Sequence, residues 1–173
     1  VEQHIGHGSE VLGVGDSRAR AGGFQEADLW NGYPEPINGP YALSKRMMMD
    51  LGRAYQQQHG MRCGFAVLAN LYGPGDDTDP ERAHVVGALI MRTLAVPDEL
   101  VVWGTGQATR EHLYVADAAD GLLALADLEA GGPLNIGPSL EVSVQGLALT
   151  IAPACGYDGP VRFDSSKPDG QPR

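Results

Sequence analysis

Along residues 41–59 the apolar positions Leu43, Met47, Leu51 and Ala54 recur every three or four places, which predicts one helix with an apolar face. Pro40 precedes it, where a fixed φ and a missing donor do no harm, and Gly60 follows as a stop. Met47, Met48 and Met49 widen the apolar surface, for the core or for a partner helix. Cys63 to Leu71 (CGFAVLANL) is short and continuously apolar, the pattern of a buried parallel strand. It runs into the loop Tyr72-Gly73-Pro74-Gly75-Asp76-Asp77. Open α/β sheets bind their ligands at that carboxyl edge.

The alternation continues downstream. Pro80 to Leu94 carries a second helical pattern, with Val85, Leu89 and Arg92 on related turns. Leu100 to Trp103 reads as a strand, Gly104-Thr105-Gly106 as a turn, and Arg110 to Val115 as another strand. Asp117 suits the N-cap of a helix reaching about Leu128. Leu134 to Gly137 is strand-like, Val144 to Cys155 helical, and Val161 to Phe163 a last strand. Residues 22–40 read as loop, with Glu26, Asp28 and Glu35 as solvated charges. In residues 1–22, Val11-Leu12-Gly13-Val14-Gly15 reads as a short strand leading into a loop, because no third glycine completes a dinucleotide fingerprint. The pattern as a whole predicts an α/β fold with a parallel sheet.

Composition narrows the function. The 173 residues carry a formal net charge of −10 and no basic cluster, which argues against a nucleic-acid or anionic-membrane surface. No apolar run approaches a membrane span. An anionic ligand must therefore be held by a few placed cations. The two cysteines, Cys63 and Cys155, make neither a disulfide framework nor a metal spacing. Nothing at the N-terminus reads as a signal peptide, so a reducing cytoplasm is expected.

The candidate chemistry starts at Tyr41-Ala42-Leu43-Ser44-Lys45. Residues four apart share a helix face, and an ammonium beside a phenol favours phenolate, which suits a proton carrier. On the pentapeptide alone, a solvated surface pair is the simpler reading of these residues. His84, Arg92, Arg110 and Lys167 likewise read in isolation as surface groups.

Taken together, the YALSK helix start, the loop Asn70-Leu71-Tyr72-Gly73-Pro74-Gly75-Asp76, the stretch Ala83-His84-Val85-Val86-Gly87-Ala88-Leu89-Ile90, Trp103-Gly104-Thr105-Gly106 with Arg110-Glu111-His112, and the closing DSSKPDGQPR resemble the extended short-chain dehydrogenase/reductase family of NAD-dependent epimerases and dehydratases. The match is nearest to the branch acting on GDP-4-keto-6-deoxyhexoses. It covers about residues 23–173, the second half or so of a complete member. The resemblance implies a partial Rossmann-type doubly wound parallel sheet plus a small C-terminal sugar-nucleotide lobe. Residues 1–22 stay unassigned, 23–80 would end the nucleotide-binding domain, and 81–173 would be mainly the substrate lobe, with a helix and strand at about 117–137 returning to the main sheet.

The implied roles follow position by position. Tyr41 would protonate the sugar oxygen as hydride arrives from NADPH, and Lys45 would hold the nicotinamide ribose. Asn70 and Leu71 would lie beside nicotinamide and sugar. His84 would serve the epimerisation at C3 and C5, where the C4 ketone acidifies both neighbouring carbons. Arg92, Arg110 and Lys167 would hold the GDP part, with Trp103 packed near it. NADP, a GDP-sugar and a homodimer through the tyrosine helix, or another oligomer, are the implied cofactor, substrate and assembly. Two departures qualify this: the glycine fingerprint is missing, and Ser17 stands without the family's Ser-Ser-Cys-x-Tyr-Pro setting as the candidate catalytic serine. Other nucleotide-sugar epimerases or dehydratases, and a sugar-nucleotide-binding chain without catalysis, remain open at this point.

Overall fold

The computed structural model describes residues 24–34, 36, 38–79, 82–95, 98–128 and 131–169. Ser17 and the Gly13–Gly15 stretch lie outside the described residues. The elements in chain order are a 3₁₀ turn (Glu26–Trp30), α1 (Gly39–His59), β1 (Phe65–Leu68), β2 (Asn70–Tyr72), α2 (Val85–Ala95), β3 (Leu100–Trp103), β4 (Thr109–Tyr114), α3 (Val115–Asp127), β5 (Pro133–Ile136), β6 (Glu141–Ser143), α4 (Val144–Ala154) and β7 (Val161–Asp164). Two compact units result, residues 24–71 with 113–138 and residues 72–112 with 139–169. They are called here the tyrosine unit and the tryptophan unit. The mixed α/β class with parallel strands is the one the sequence predicts.

In the tyrosine unit β1 and β5 pair in parallel, from Phe65↔Pro133 to Leu68↔Ile136, and α3 packs on β1. Leu29, Met49 and Val67 form one buried cluster with Phe65, and Ala69, Leu113 and Ala118 form another with Leu68 and Ile136. The helix α1 ends at Gly60, whose φ of 65° closes it in the left-handed region. At Gly52 a Cβ would stand 2.6 Å from the Phe65 ring, so glycine lets α1 approach the strand at the cost of helix propensity.

Four expectations change here. The stripe Leu43, Met47, Leu51 faces solvent, at 39%, 66% and 55% exposure, while Gly39, Ala42, Arg46 and Met49 turn inward. Arg46 buries its stem and donates to the carbonyl of Gly32 at 3.0 Å, a partner no periodicity argument includes. The strand expected from Cys63 begins at Phe65 and is interrupted at Ala69. Asp117 lies in the first turn of α3 and Tyr114 is the N-cap, because β4 runs directly into the helix. Asp28 and Glu26 are not free surface charges. Asp28 is buried and accepts from Gln25 N at 3.0 Å and Asn31 Nδ2 at 2.9 Å. Glu26 accepts from Asn135 N at 2.9 Å, reaching the β5 edge.

In the tryptophan unit β3 and β7 pair in parallel, from Leu100↔Val161 to Trp103↔Asp164. Leu89 of α2, Leu100 and Val102 of β3, and Ala148 and Ala152 of α4 make the core, with Ile151 and Phe163 against it. Ser143 caps α4 by accepting from Gly146 N at 3.0 Å. The Tyr157 hydroxyl accepts from Leu100 N at 3.0 Å and stands 3.0 Å from the Pro160 carbonyl oxygen, joining the starts of β3 and β7. The short strand β6, antiparallel to β4 from Thr109↔Ser143 to Glu111↔Glu141, is an element the apolar pattern does not announce.

Candidate active site

Tyr41 lies in the first turn of α1 and is 52% exposed. The Lys45 ammonium stands 5.2 Å from its ring centroid, so the four-residue spacing does bring the two groups together. Ser44 Oγ donates to the Tyr41 carbonyl at 2.7 Å, tightening the same turn. Asn70 and Leu71 occupy β2, at the end of the same unit.

The tryptophan unit gathers a second group. The Arg92 guanidinium, in the last turn of α2, stands 5.1 Å from the Trp103 ring centroid. The Lys167 ammonium stands 5.6 Å from the same ring. Their meeting follows from the register. Trp103 ends β3 opposite Asp164, the last residue of β7, so the closing segment leaves beside the indole. Two cations on one aromatic ring form a compact positive site in an acidic chain, suited to a diphosphate. Arg110 is buried in β4 and donates through a terminal nitrogen to the Thr109 carbonyl at 2.6 Å.

Electrostatics sharpen two positions nearby. The Asp164 carboxyl is held below its ordinary range, first by the Ser166 hydroxyl at 2.6 Å, then by the Ser166 N–H at 3.1 Å, with Arg162 and Lys167 adding their charge. Half-buried His112 is pushed below the usual histidine value by desolvation and then by Arg110.

His84 is exposed just ahead of α2, and its carbonyl accepts from Ala88 N at 2.8 Å. The loop before it is tied down locally, with Arg82 pairing Asp77 at 3.3 Å and Asp79 at 3.1 Å. Asp76 Oδ2 is buried without a hydrogen-bond partner and lies against Gly87 in the first turn of α2. A helix start tolerates such a charge because its dipole is positive there. Sequence reasoning assigned no role to Asp76, Thr105 or Asp169, although all three fall in stretches it singled out. Among the described residues no group of three or more His, Cys, Asp or Glu could hold a metal ion. No helix among them is long and apolar enough to cross a membrane.

Parallel strands with helices packed on them define the class, an α/β protein, here carrying a Tyr-x-x-x-Lys helix and a cation-flanked tryptophan. A sequence profile described as "NAD dependent epimerase/dehydratase family" matches residues 8–137, and the chain belongs to that family. It is 41% identical over 153 residues to the Oryza sativa subsp. japonica protein named "Probable GDP-L-fucose synthase 1", covering 86% of this chain and 47% of that one. It is 38% identical over 162 residues to the GDP-L-fucose synthase of Escherichia coli (strain K12), covering 86% of this chain and 50% of that one. A crystal structure of a GDP-L-fucose synthetase from Naegleria fowleri bound to NADP superposes with a TM-score of 0.82 at 31% identity, covering 92% of this chain and 53% of the other. The chain thus spans about half the length of the relatives it matches.

Proposed function

We propose that this chain carries the proton-transfer helix and the GDP-sugar site of an NADP-dependent epimerase/reductase acting on a GDP-4-keto-6-deoxyhexose. The observation that carries the reading is the pair of cations on Trp103, Arg92 at 5.1 Å and Lys167 at 5.6 Å. Similarity to GDP-L-fucose synthases supports the choice of base and sugar.

In this reading Arg92, Lys167 and Arg110 hold the diphosphate and Trp103 packs against the nucleotide. His84 moves protons at C3 and C5, where the C4 ketone acidifies the neighbouring carbons. Tyr41 then gives its proton to the C4 oxygen, and Lys45 stabilises the phenolate left behind. The residues present fit one end of the dinucleotide. Lys45 stands beside an exposed Tyr41, where it can reach a ribose, and Asn70 and Leu71 would flank the nicotinamide and sugar. Bound NADPH would supply the hydride to C4.

A second reading, carried by the same cation-flanked Trp103, is that the chain binds the GDP-sugar and catalyses nothing on its own. For assembly, the exposed row Leu43, Met47, Leu51 and Tyr55 on α1 supports a homodimer through that helix. Paired calorimetric titrations separate the two functional readings. Binding of both GDP and NADPH supports the enzyme, binding of GDP alone supports the binding chain, and failure to bind GDP removes both.

A further inference from the structure

The segment that brings Lys167 to Trp103 is fastened at both ends. At its near end the Asp164 carbonyl accepts from Gly104 N at 2.9 Å and from Lys167 N at 3.1 Å. At its far end the Asp169 carboxylate accepts from the Thr105 N–H and from the Thr105 hydroxyl, the latter at 3.0 Å and 2.9 Å to its two oxygens. The approach is close enough to constrain sequence. Gly104 has a φ of +80°, and a Cβ there would overlap Asp169 Oδ1 and stand 3.0 Å from its Cα. Lys167 therefore sits between two anchors, both on the β3–β4 turn that begins at Trp103.

We propose that Thr105 is a positioning residue, which latches the closing strap through Asp169 and so holds the Lys167 ammonium beside the Trp103 ring for the substrate diphosphate. The inference rests on the GDP-sugar reading above. A lysine on a free tail would lose rotamer and backbone freedom each time it met an anion, and that loss subtracts from affinity. Here the strap is ordered in advance by bonds that involve neither Lys167's side chain nor the ligand. Thr105 touches no ligand in this scheme. Its contribution passes through Lys167 alone.

The test is a double-mutant cycle read by GDP titration, with amide hydrogen exchange of residues 165–169 measured on the ligand-free chain. Thr105→Val should weaken GDP binding about three- to tenfold, and Thr105→Ser should restore it. In a Lys167→Ala background the Thr105→Val loss should vanish, because the residue it positions is gone. Exchange in the strap should rise in Thr105→Val and stay low in Thr105→Ser. Equal losses in both backgrounds would overturn the positioning role, and unchanged strap exchange would overturn the latch. A wild-type chain that ignores GDP would instead remove the GDP-sugar reading, and with it the ligand half of this proposal, while the exchange data still decide whether the latch exists.

Discussion

The two units arrange their candidate chemistry by different means. In the tyrosine unit, Tyr41 and Lys45 meet because a helix places residues four apart on one face, and the pair lies open to solvent. In the tryptophan unit, Arg92, Trp103 and Lys167 come from a helix, a strand end and a closing segment, and meet because β3 and β7 share a register. The first arrangement is local and generic; the second is long-range and particular. A local pair can pass a proton to whatever is brought to it but selects little. A three-element cluster can select a ligand because its spacing depends on the fold.

The largest effect should separate these roles. Tyr41→Phe is expected to lower GDP-keto-sugar-dependent NADPH oxidation by about 10²–10⁴-fold while leaving the GDP dissociation constant unchanged. Loss of GDP affinity in that variant would break the division of labour. Next, Arg92→Ala should weaken GDP binding about ten- to a hundredfold by calorimetry, the cost of a charge-assisted contact. An unchanged titration would mean that the cation cluster serves packing alone.

A change of intermediate size concerns the outer face of α1. Leu51→Glu puts a charge into the exposed apolar row and should convert a dimer to a monomer in sedimentation without altering GDP binding. If the unaltered chain already sediments as a well-folded monomer, the row has no such use. The smallest effect is a pH slope in the tryptophan unit. His112 has a folded value below its unfolded one, so the unfolded chain takes up the proton first as pH falls. Stability should therefore be complete above about pH 6.5 and decline as pH drops through the lowered value. The denaturation midpoint of His112→Gln should show a flatter dependence over that window.

What was legible in the sequence is what local pattern encodes. The helix to His59, its glycine stop, the strand Leu100–Trp103 and the strand starting at Val161 all lie where spacing puts them. The inward face of α1 was not legible, because its burial depends on Arg46 reaching the carbonyl of Gly32 and on Gly52 meeting Phe65. Asp28 reads as a charge in a loop until its own turn folds around it. The latch between Thr105 and Asp169 joins residues 64 apart, a distance no periodicity spans. Glycine in the WGTG turn was visible as a turn signal, yet its reason, the carboxylate lying against Gly104, belongs to the tertiary fold.

The Tyr157 hydroxyl has a consequence for how this fold can drift. By holding Leu100 N and lying against the carbonyl of Pro160, it measures the connection between them with a rigid ring. Residues 158–160 are thus a ruler more than a loop. An insertion there would carry Pro160 out of reach of the phenol and slide Val161 off Leu100. Length changes in this part of the protein should accumulate elsewhere, leaving this short corner constant in size while its surface side chains vary.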